Sequence, residues 1–179
     1  MSEYTEQDTP FIIRLIDENS WPDYAPDIKR VFNFEISQSS YIYRDEIFDE
    51  QEIHQWFLSR LQEKGLLLAC VHAHSEKFLG FASYGRFRNF AGSLGTVEHS
   101  VYVDSVARRK GVGSFLLNEI ISAAQVAGKK SMVGVIDADN LTSLHLHDKA
   151  GFIRVGCMKS LGLKWGSYRD AWFVQRMLS

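Results

Sequence analysis

No stretch of this 179-residue chain stays apolar for the roughly 20 residues a bilayer-spanning helix needs, so no membrane anchor is expected. Charge of one sign is lacking too. The 20 Lys and Arg against 22 Asp and Glu leave a formal net charge of −2, no global reason to expect nucleic acid or an anionic membrane as partner. Any anion site must therefore be local. Only two cysteines occur, Cys70 and Cys157, both in apolar, strand-like surroundings. They read as reduced core thiols of a cytosolic protein, with a disulfide or a reactive thiol as the alternatives. No Cys/His spacing suggests a metal site, so no metal is expected. The polar, acidic opening MSEYTEQDTP has the build of neither a signal peptide nor a transit peptide, and the expected location is cytoplasmic. Repeats, low-complexity tracts and linkers are missing. With 45% hydrophobic and 23% charged residues, the chain reads as a single domain over 1–179.

What is present is an alternation of short apolar runs and amphipathic stretches. FIIRLID (11–17) reads as a first strand. Pro26 suits the first turn of a helix continued by Ile28, Val31, Phe32 and Ile36. A second helix is marked by Asp49 as cap with Glu52 three residues on, an apolar face of Ile53, Trp56, Phe57 and Leu61, and Gly65 as its stop. LLLACVHAH and FLGFASYGRFR flank SEK as an antiparallel hairpin, and TVEHSVYVD (96–104) is a further strand. On it Val97, His99, Val101 and Val103 share one face, Glu98, Ser100 and Tyr102 the other. A helix to about Ala127, the strand SMVGVID, a short helix closed by Gly151 and two final strands complete an α/β layer structure with a mixed sheet.

The segment RRKGVG (108–113) stands directly before a helix. A helix N-terminus presents unpaired N–H groups and a partial positive charge, and glycines there let a phosphate approach. Neither a Walker loop nor a dinucleotide fingerprint fits the spacing. By itself the segment could be no more than a basic loop with turn glycines.

Its context narrows the reading. Arg-x-x-Gly-x-Gly after the strand EHSVYVD, with IDADNLTSLHLHDKAGF downstream, resembles the acyl-CoA-binding elements of the GNAT N-acetyltransferases. The blocks SYGRFR, TVEHSVYV, IDADN, LHDKAGF and GSYRDAWFVQR resemble, more narrowly, the phosphinothricin N-acetyltransferase family, whose bacterial members commonly also take methionine sulfone or sulfoximine. The likeness runs from about residue 10 to the C-terminus. It implies a GNAT fold with a mostly antiparallel sheet, acetyl-CoA as acetyl donor, a small amino acid analogue as substrate and a homodimer.

The resemblance also assigns residues. The pyrophosphate would lie on the N–H groups of Arg109, Lys110, Gly111, Val112, Gly113 and Ser114, with Arg108, Arg109 and Lys110 supplying charge. The pantetheine arm would pair with the main chain of Val101, Tyr102 and Val103, and the N–H near Val101 would stabilise the oxyanion. Asn140 would bond a pantetheine amide, or cap the following helix, or both. Glu98, acidic in an apolar strand, is the expected general base, unless it marks the exposed face of an edge strand. His147 would protonate the departing sulfur, or else only pack on the cofactor, with Ser143 on the same face. Arg88 would clamp the substrate carboxylate, with Asn89, Phe90 and the Glu98–His99–Ser100 segment around it. Arg86 and Arg88, two apart, are expected on one face of a strand, Arg86 being solvated. Tyr41 and Tyr43 depart from the family pattern, which leaves the side-chain specificity open. An acetyltransferase for a protein N-terminus or a polyamine, and a silent acyl-CoA sensor, are the competing functions.

Overall fold

The computed structural model describes residues 10–178, so most of the acidic N-terminal stretch lies outside the described residues. The chain order is β1 (Phe11–Leu15), α1 (Trp21–Gln38), α2 (Glu50–Gln62), β2 (Leu66–His72), β3 (Phe78–Arg86), β4 (Thr96–Val103), α3 (Val112–Val126), β5 (Ser131–Asp137), α4 (Leu141–Lys149), β6 (Ile153–Lys164) and β7 (Ser167–Met177). Short 3₁₀ turns at Ala91–Ser93 and Ser105–Ala107 have no counterpart in the sequence reading. The strands form one sheet in the order β1-β2-β3-β4-β5-β7-β6. Every neighbouring pair is antiparallel except β4 with β5.

Two apolar clusters sit on opposite faces of the sheet. On one face α1 and α2 cover Leu67, Ala69, Phe78 and Phe81, with Phe32 set edge-on against Phe81 and Trp56. On the other, Leu116, Leu117, Ile120 and Ile121 of α3 and Leu144 of α4 pack on Leu68, Ala82, Val97, Met132 and Val174. Alternation along the strands assigns each residue to one face or the other.

The first helix begins five residues before Pro26, at Trp21. Pro22 occupies the first turn, where its missing N–H is harmless, and Pro26 lies inside the helix. The early turn is held from outside: the Trp21 ring stacks on Phe57 of α2 at 4.3 Å and an interplanar angle of 4°. At α2 the Asp49/Glu52 capping box is complete, each side chain bonding the other's backbone N–H. The stop differs in detail. Lys64 takes the left-handed conformation (φ 54), while Gly65 donates to Arg60 O at 2.8 Å. Gly65 is there for close approach, since a Cβ would run into the Tyr84 carbonyl of β3.

Cys70 is buried on β2, its thiol pushed up to about 11 by burial, and Cys157 is half-buried on β6; both are free. Lys164, at the end of β6, is 1% exposed and donates to the carbonyls of Ile36 and Arg44. It thereby ties the β6–β7 end of the sheet to the α1–α2 segment that carries Tyr43. Among the described residues no helix is long and apolar enough to cross a membrane.

Candidate active site

The site begins where two strands part. β4 and β5 pair only through Thr96↔Ser131, Val97↔Met132 and Glu98↔Val133. Beyond Glu98 the rest of β4 stays paired with β3 but has no ladder partner on its β5 side among the described residues. A stretch of unpaired edge at Val101–Val103 thus opens in mid-sheet, the sort of edge an extended amide-bearing chain can join. Val101 and Val103 turn their side chains to the α3 cluster, while Tyr102 stacks on Phe81 at 5.1 Å on the other face. Burial raises the Tyr102 phenol to about 12.

The cradle at the start of α3 is open to solvent: Arg108, Arg109, Lys110, Gly111 and Ser114 are exposed and Gly113 is half-buried. Arg109 (φ 59) and Gly111 (φ 87) both lie in the left-handed region, which curls the backbone ahead of the helix. Gly111 is the N-cap and Phe115 the first N–H to close on it, so the amides of Val112, Gly113 and Ser114 precede the helical ladder. The cations are placed unevenly. Arg108 pairs with Glu35 of α1, so part of its charge is already met within the chain. Lys110 bonds the Val106 carbonyl at 3.0 Å. Gly113 has an ordinary φ, and a Cβ there would meet only Val103 and Leu146 at 3.5 and 3.6 Å. The chain itself does not require that glycine.

Asn140 caps α4 through its side-chain oxygen, which accepts from Ser143 N–H at 3.1 Å. Its amide NH₂ has no partner among the described residues.

Glu98 is half-buried and its carboxylate makes no hydrogen bond or ion pair among the described residues. Burial raises its pKa above the usual carboxylate value; Arg88 and Arg60 pull it down and Glu63 pushes it up. Arg60 and Glu63 come from the end of α2 and pass over Gly85, the strand partner of Glu98, where a Cβ would collide with both. Sequence reading missed this pair because only the apolar face of α2 carried a signal. Ser100 is half-buried on the same face as Glu98.

Arg86 and Arg88 do not share a strand face: β3 ends at Arg86, and Arg88 lies in the following bend. Arg88 is exposed, its guanidinium 4.2 Å from the Phe87 ring centroid. Arg86 is less solvated than expected, with a buried, unpartnered Nε and a 2.9 Å bond to Asn89. That bond turns Asn89 toward Arg86, and Phe90 is 61% exposed.

The two histidines depart furthest from expectation. His99 does not line a substrate pocket beside Glu98. It is 5% exposed on the opposite face, Nδ1 2.8 Å from Val133 O and Nε2 2.9 Å from His147 Nε2. His147 is equally buried, and its Nδ1 lies 2.7 Å from Ser143 O and 3.4 Å from Ser143 Oγ. Both ring nitrogens of His147 are thus engaged inside the protein. Burial lowers the pKa of both histidines, and for His99 the neighbouring His147 lowers it further.

A second polar cluster closes the end of β5. Asp137 accepts two bonds from Arg169, at 2.8 and 3.0 Å, and one from the Tyr43 hydroxyl at 3.1 Å. Among the described residues no three His, Cys, Asp or Glu side chains are grouped to hold a metal ion.

A sheet that opens between β4 and β5, beside an exposed basic loop at a helix start, has a counterpart in known proteins. The Acetyltransferase (GNAT) family matches residues 28–152. The chain belongs to that family, and it is an N-acetyltransferase. An L-methionine sulfoximine/L-methionine sulfone acetyltransferase of Pseudomonas aeruginosa is 37% identical over 150 residues, covering 84% of this chain and 87% of the relative. The phosphinothricin acetyltransferase of Sinorhizobium meliloti, solved with AcCoA, superposes with a TM-score of 0.87 at 25% identity, over 96% of this chain and 90% of its own. A ribosomal-protein-alanine N-acetyltransferase of Brucella melitensis gives 0.84 at 32%, over 93% and 99%. The mixed GNAT fold expected from the sequence is therefore found.

Proposed function

We propose that this N-acetyltransferase uses acetyl-CoA to acetylate the α-amino group of a small amino acid analogue of the phosphinothricin, L-methionine sulfoximine or L-methionine sulfone type. The observation that carries the reading is Glu98: a half-buried carboxylate with raised pKa and no partner among the described residues, at the last rung before β4 and β5 separate. The residues suit the cofactor. Unpaired amides at 112–114 and the turn at 109–111 suit a pyrophosphate, and the free edge of Val101–Val103 suits the pantetheine amides. A glycine at 113, where a Cβ would make only ordinary contacts with Val103 and Leu146 and the fold does not demand its absence, supports the same assignment. When bound, acetyl-CoA supplies an acetyl thioester.

Glu98 takes a proton from the substrate's ammonium, freeing the nitrogen lone pair for attack; a carboxylate raised by burial is better matched to that task near neutral pH. The N–H near Val101 lies on the unpaired edge and is the donor proposed for the oxyanion. Arg88, exposed and close enough to influence Glu98, is the proposed carboxylate clamp.

A protein N-terminus is the second reading, favoured by the likeness to the ribosomal-protein-alanine enzyme. Turnover of a panel holding methionine sulfone, methionine sulfoximine, phosphinothricin, short peptides and spermidine, followed by thiol release, separates the two. Preferential turnover of a peptide would overturn the amino acid reading. The expected homodimer would use the long edge strand β6, where Ile153, Val155, Met158 and Leu163 are at least half exposed. Sedimentation tests this.

A further inference from the structure

His99 and His147 lie 48 residues apart in sequence, and their two rings close the seam where β4 leaves β5. The ring of His99 fills the space over Gly134, where a Cβ would lie 2.9 Å from its Cε1. Phe152 packs on both rings with centroids 5.1 Å away.

A proton count constrains this arrangement. Each Nδ1 faces a backbone carbonyl, of Val133 or of Ser143, and a carbonyl can only accept. Both Nδ1 atoms therefore carry hydrogen. Two neutral imidazoles have no further N–H, so the 2.9 Å contact between the Nε2 atoms would set lone pair against lone pair. Three contacts need three protons, and the pair that satisfies them all holds one shared extra proton. In the neutral pair one contact must change. Val133 O has no competing donor in the pair, so His99 keeps its Nδ1–H. His147 then moves its single hydrogen to Nε2, and its Nδ1 accepts from the Ser143 hydroxyl, the one other donor in reach at 3.4 Å.

We propose that His99, His147 and Ser143 form one proton relay, with the Ser143 hydroxyl as its outlet to the cleft and His99 as the residue that sets the tautomer of His147. The relay rests on the acetyltransferase reading above. In the step it performs, the Ser143 O–H bond breaks as hydrogen passes to the departing sulfur. Ser143 Oγ takes the proton from His147 Nδ1, and the shared proton settles on His147 Nε2 facing His99. The pair ends neutral and the sulfur ends as a thiol. Burial lowers the pKa of both rings, so the pair is neutral at rest near neutral pH and holds the third proton only within a turnover, receiving it through the same hydroxyl from those the substrate's ammonium gives up. His147, at 5% exposure, has no N–H of its own to offer the cleft, whereas Ser143 is half-buried. His99 touches neither cofactor nor substrate in this scheme and is a positioning residue.

Few other charges bear on the pair. On α4, Asp148 follows His147 but is exposed and tied to Arg154, and His145 is exposed. β5 presents Val133 O and Gly134, and the start of β6 presents Phe152 just before it, none of them titratable.

Histidine-selective nitrogen NMR on the unliganded protein, from about pH 3 to about pH 8, tests the relay without any substrate, since burial places the titration below the ordinary histidine value. The expected result is His99 as the Nδ1–H tautomer throughout, with both rings titrating together as one proton-binding unit. An Nε2–H tautomer at His99, or two independent titrations, overturns it. In steady-state kinetics Ser143→Ala keeps the N–H that Asn140 caps and is expected to lower kcat about tenfold to a hundredfold with little change in the KM for acetyl-CoA. Ser143→Thr is expected to restore most of that loss. His99→Gln and His147→Gln should each move the pH profile, and the double variant should lose no more than either alone. Full activity in Ser143→Ala, or losses that multiply, would refute the relay. If no amine is acetylated, the function reading fails while the NMR result still decides the relay.

Discussion

Glu98 and His99 are neighbours on β4 and face opposite sides of the sheet. Glu98 shares its side with Arg60 of α2 and Glu63 just after it, and His99 meets His147 of α4 on the other. The alternation of a strand thus puts a carboxylate on one face and an imidazole pair on the other, with the edge of β4 that lacks a β5 partner starting just beyond them. Acyl transfer to an amine needs a proton removed on one side and one supplied on the other. In the mechanism proposed above, a single dipeptide at a strand fork serves both needs.

Removing the proposed base separates function from stability. Glu98→Gln is expected to lower kcat about a hundredfold to ten-thousandfold while leaving acetyl-CoA affinity, read by calorimetry, close to wild type. Its effect on folding has the opposite sign. Burial raises the folded pKa of Glu98 above 4.5, so the ionised form is disfavoured in the folded state. The resulting penalty is absent below the unfolded pKa and grows as pH rises through and above it. Glu98→Gln should therefore melt higher than wild type at pH 7, with the gap closing in acid. An unchanged or lower melting temperature at neutral pH would contradict the burial argument.

The legible parts of this fold were the local ones. The Asp49/Glu52 box and the β2–β3 hairpin depend on residues a few positions apart, and the structure has both. The start of α1 was misread because its first turn is stabilised by Trp21 stacking on Phe57, a contact between separate helices that periodicity does not record. Arg86 and Arg88 were given a common face because nothing in RFRN marks where β3 stops. In the site, Glu98 stood out as an acid in an apolar strand, and RRKGVG as an exposed cradle. The His99–His147 contact was out of reach: alternation puts His99 on the core face, and only the tertiary fold brings α4 against it.

Two glycines in the cradle should fail differently. Gly111 needs its left-handed φ of 87, so Gly111→Ala is expected to lose about 1 kcal/mol of stability along with cofactor affinity. Gly113 has no such requirement, and Gly113→Ala should melt within a degree or so of wild type. Gly113→Val should keep the fold yet weaken acetyl-CoA binding about tenfold or more, by holding a pyrophosphate off the amides. Calorimetry beside thermal melts distinguishes the cases. Normal affinity in Gly113→Val would place the cofactor elsewhere.

Arg88 should act on both KM and pH. Replacing it with Met removes the forked donor proposed for the substrate carboxylate, and KM for the amino acid is expected to rise about tenfold to a hundredfold. Arg88 also lowers the pKa of Glu98. Its loss lets that pKa rise, so the acid limb of the kcat/KM profile should move to higher pH. A rise in KM with an unmoved limb would mean that Arg88 binds substrate without reaching the base.

The Asp137–Arg169 pair should govern acid stability. Burial pushes Asp137 up, but the bonds from Arg169, with help from the Asp139 N–H and the Tyr43 hydroxyl, hold it below its ordinary value of 3.8. A depressed carboxylate stabilises the fold above its unfolded pKa and loses that contribution as pH falls through the folded one. Arg169→Leu leaves a buried carboxylate without its cation and is expected to cost about 3–5 kcal/mol at pH 7. The cost should shrink as the pH drops and Asp137 takes a proton. Adding Asp137→Asn to Arg169→Leu should recover part of the loss at pH 7, since no charge is then left unpaired. Because the Tyr43 hydroxyl also rests on Asp137, the α1–α2 segment should loosen in Arg169→Leu, seen as faster amide exchange over residues 41–48. Wild-type stability in Arg169→Leu would show that Asp137 is held by Tyr43 and its own turn alone.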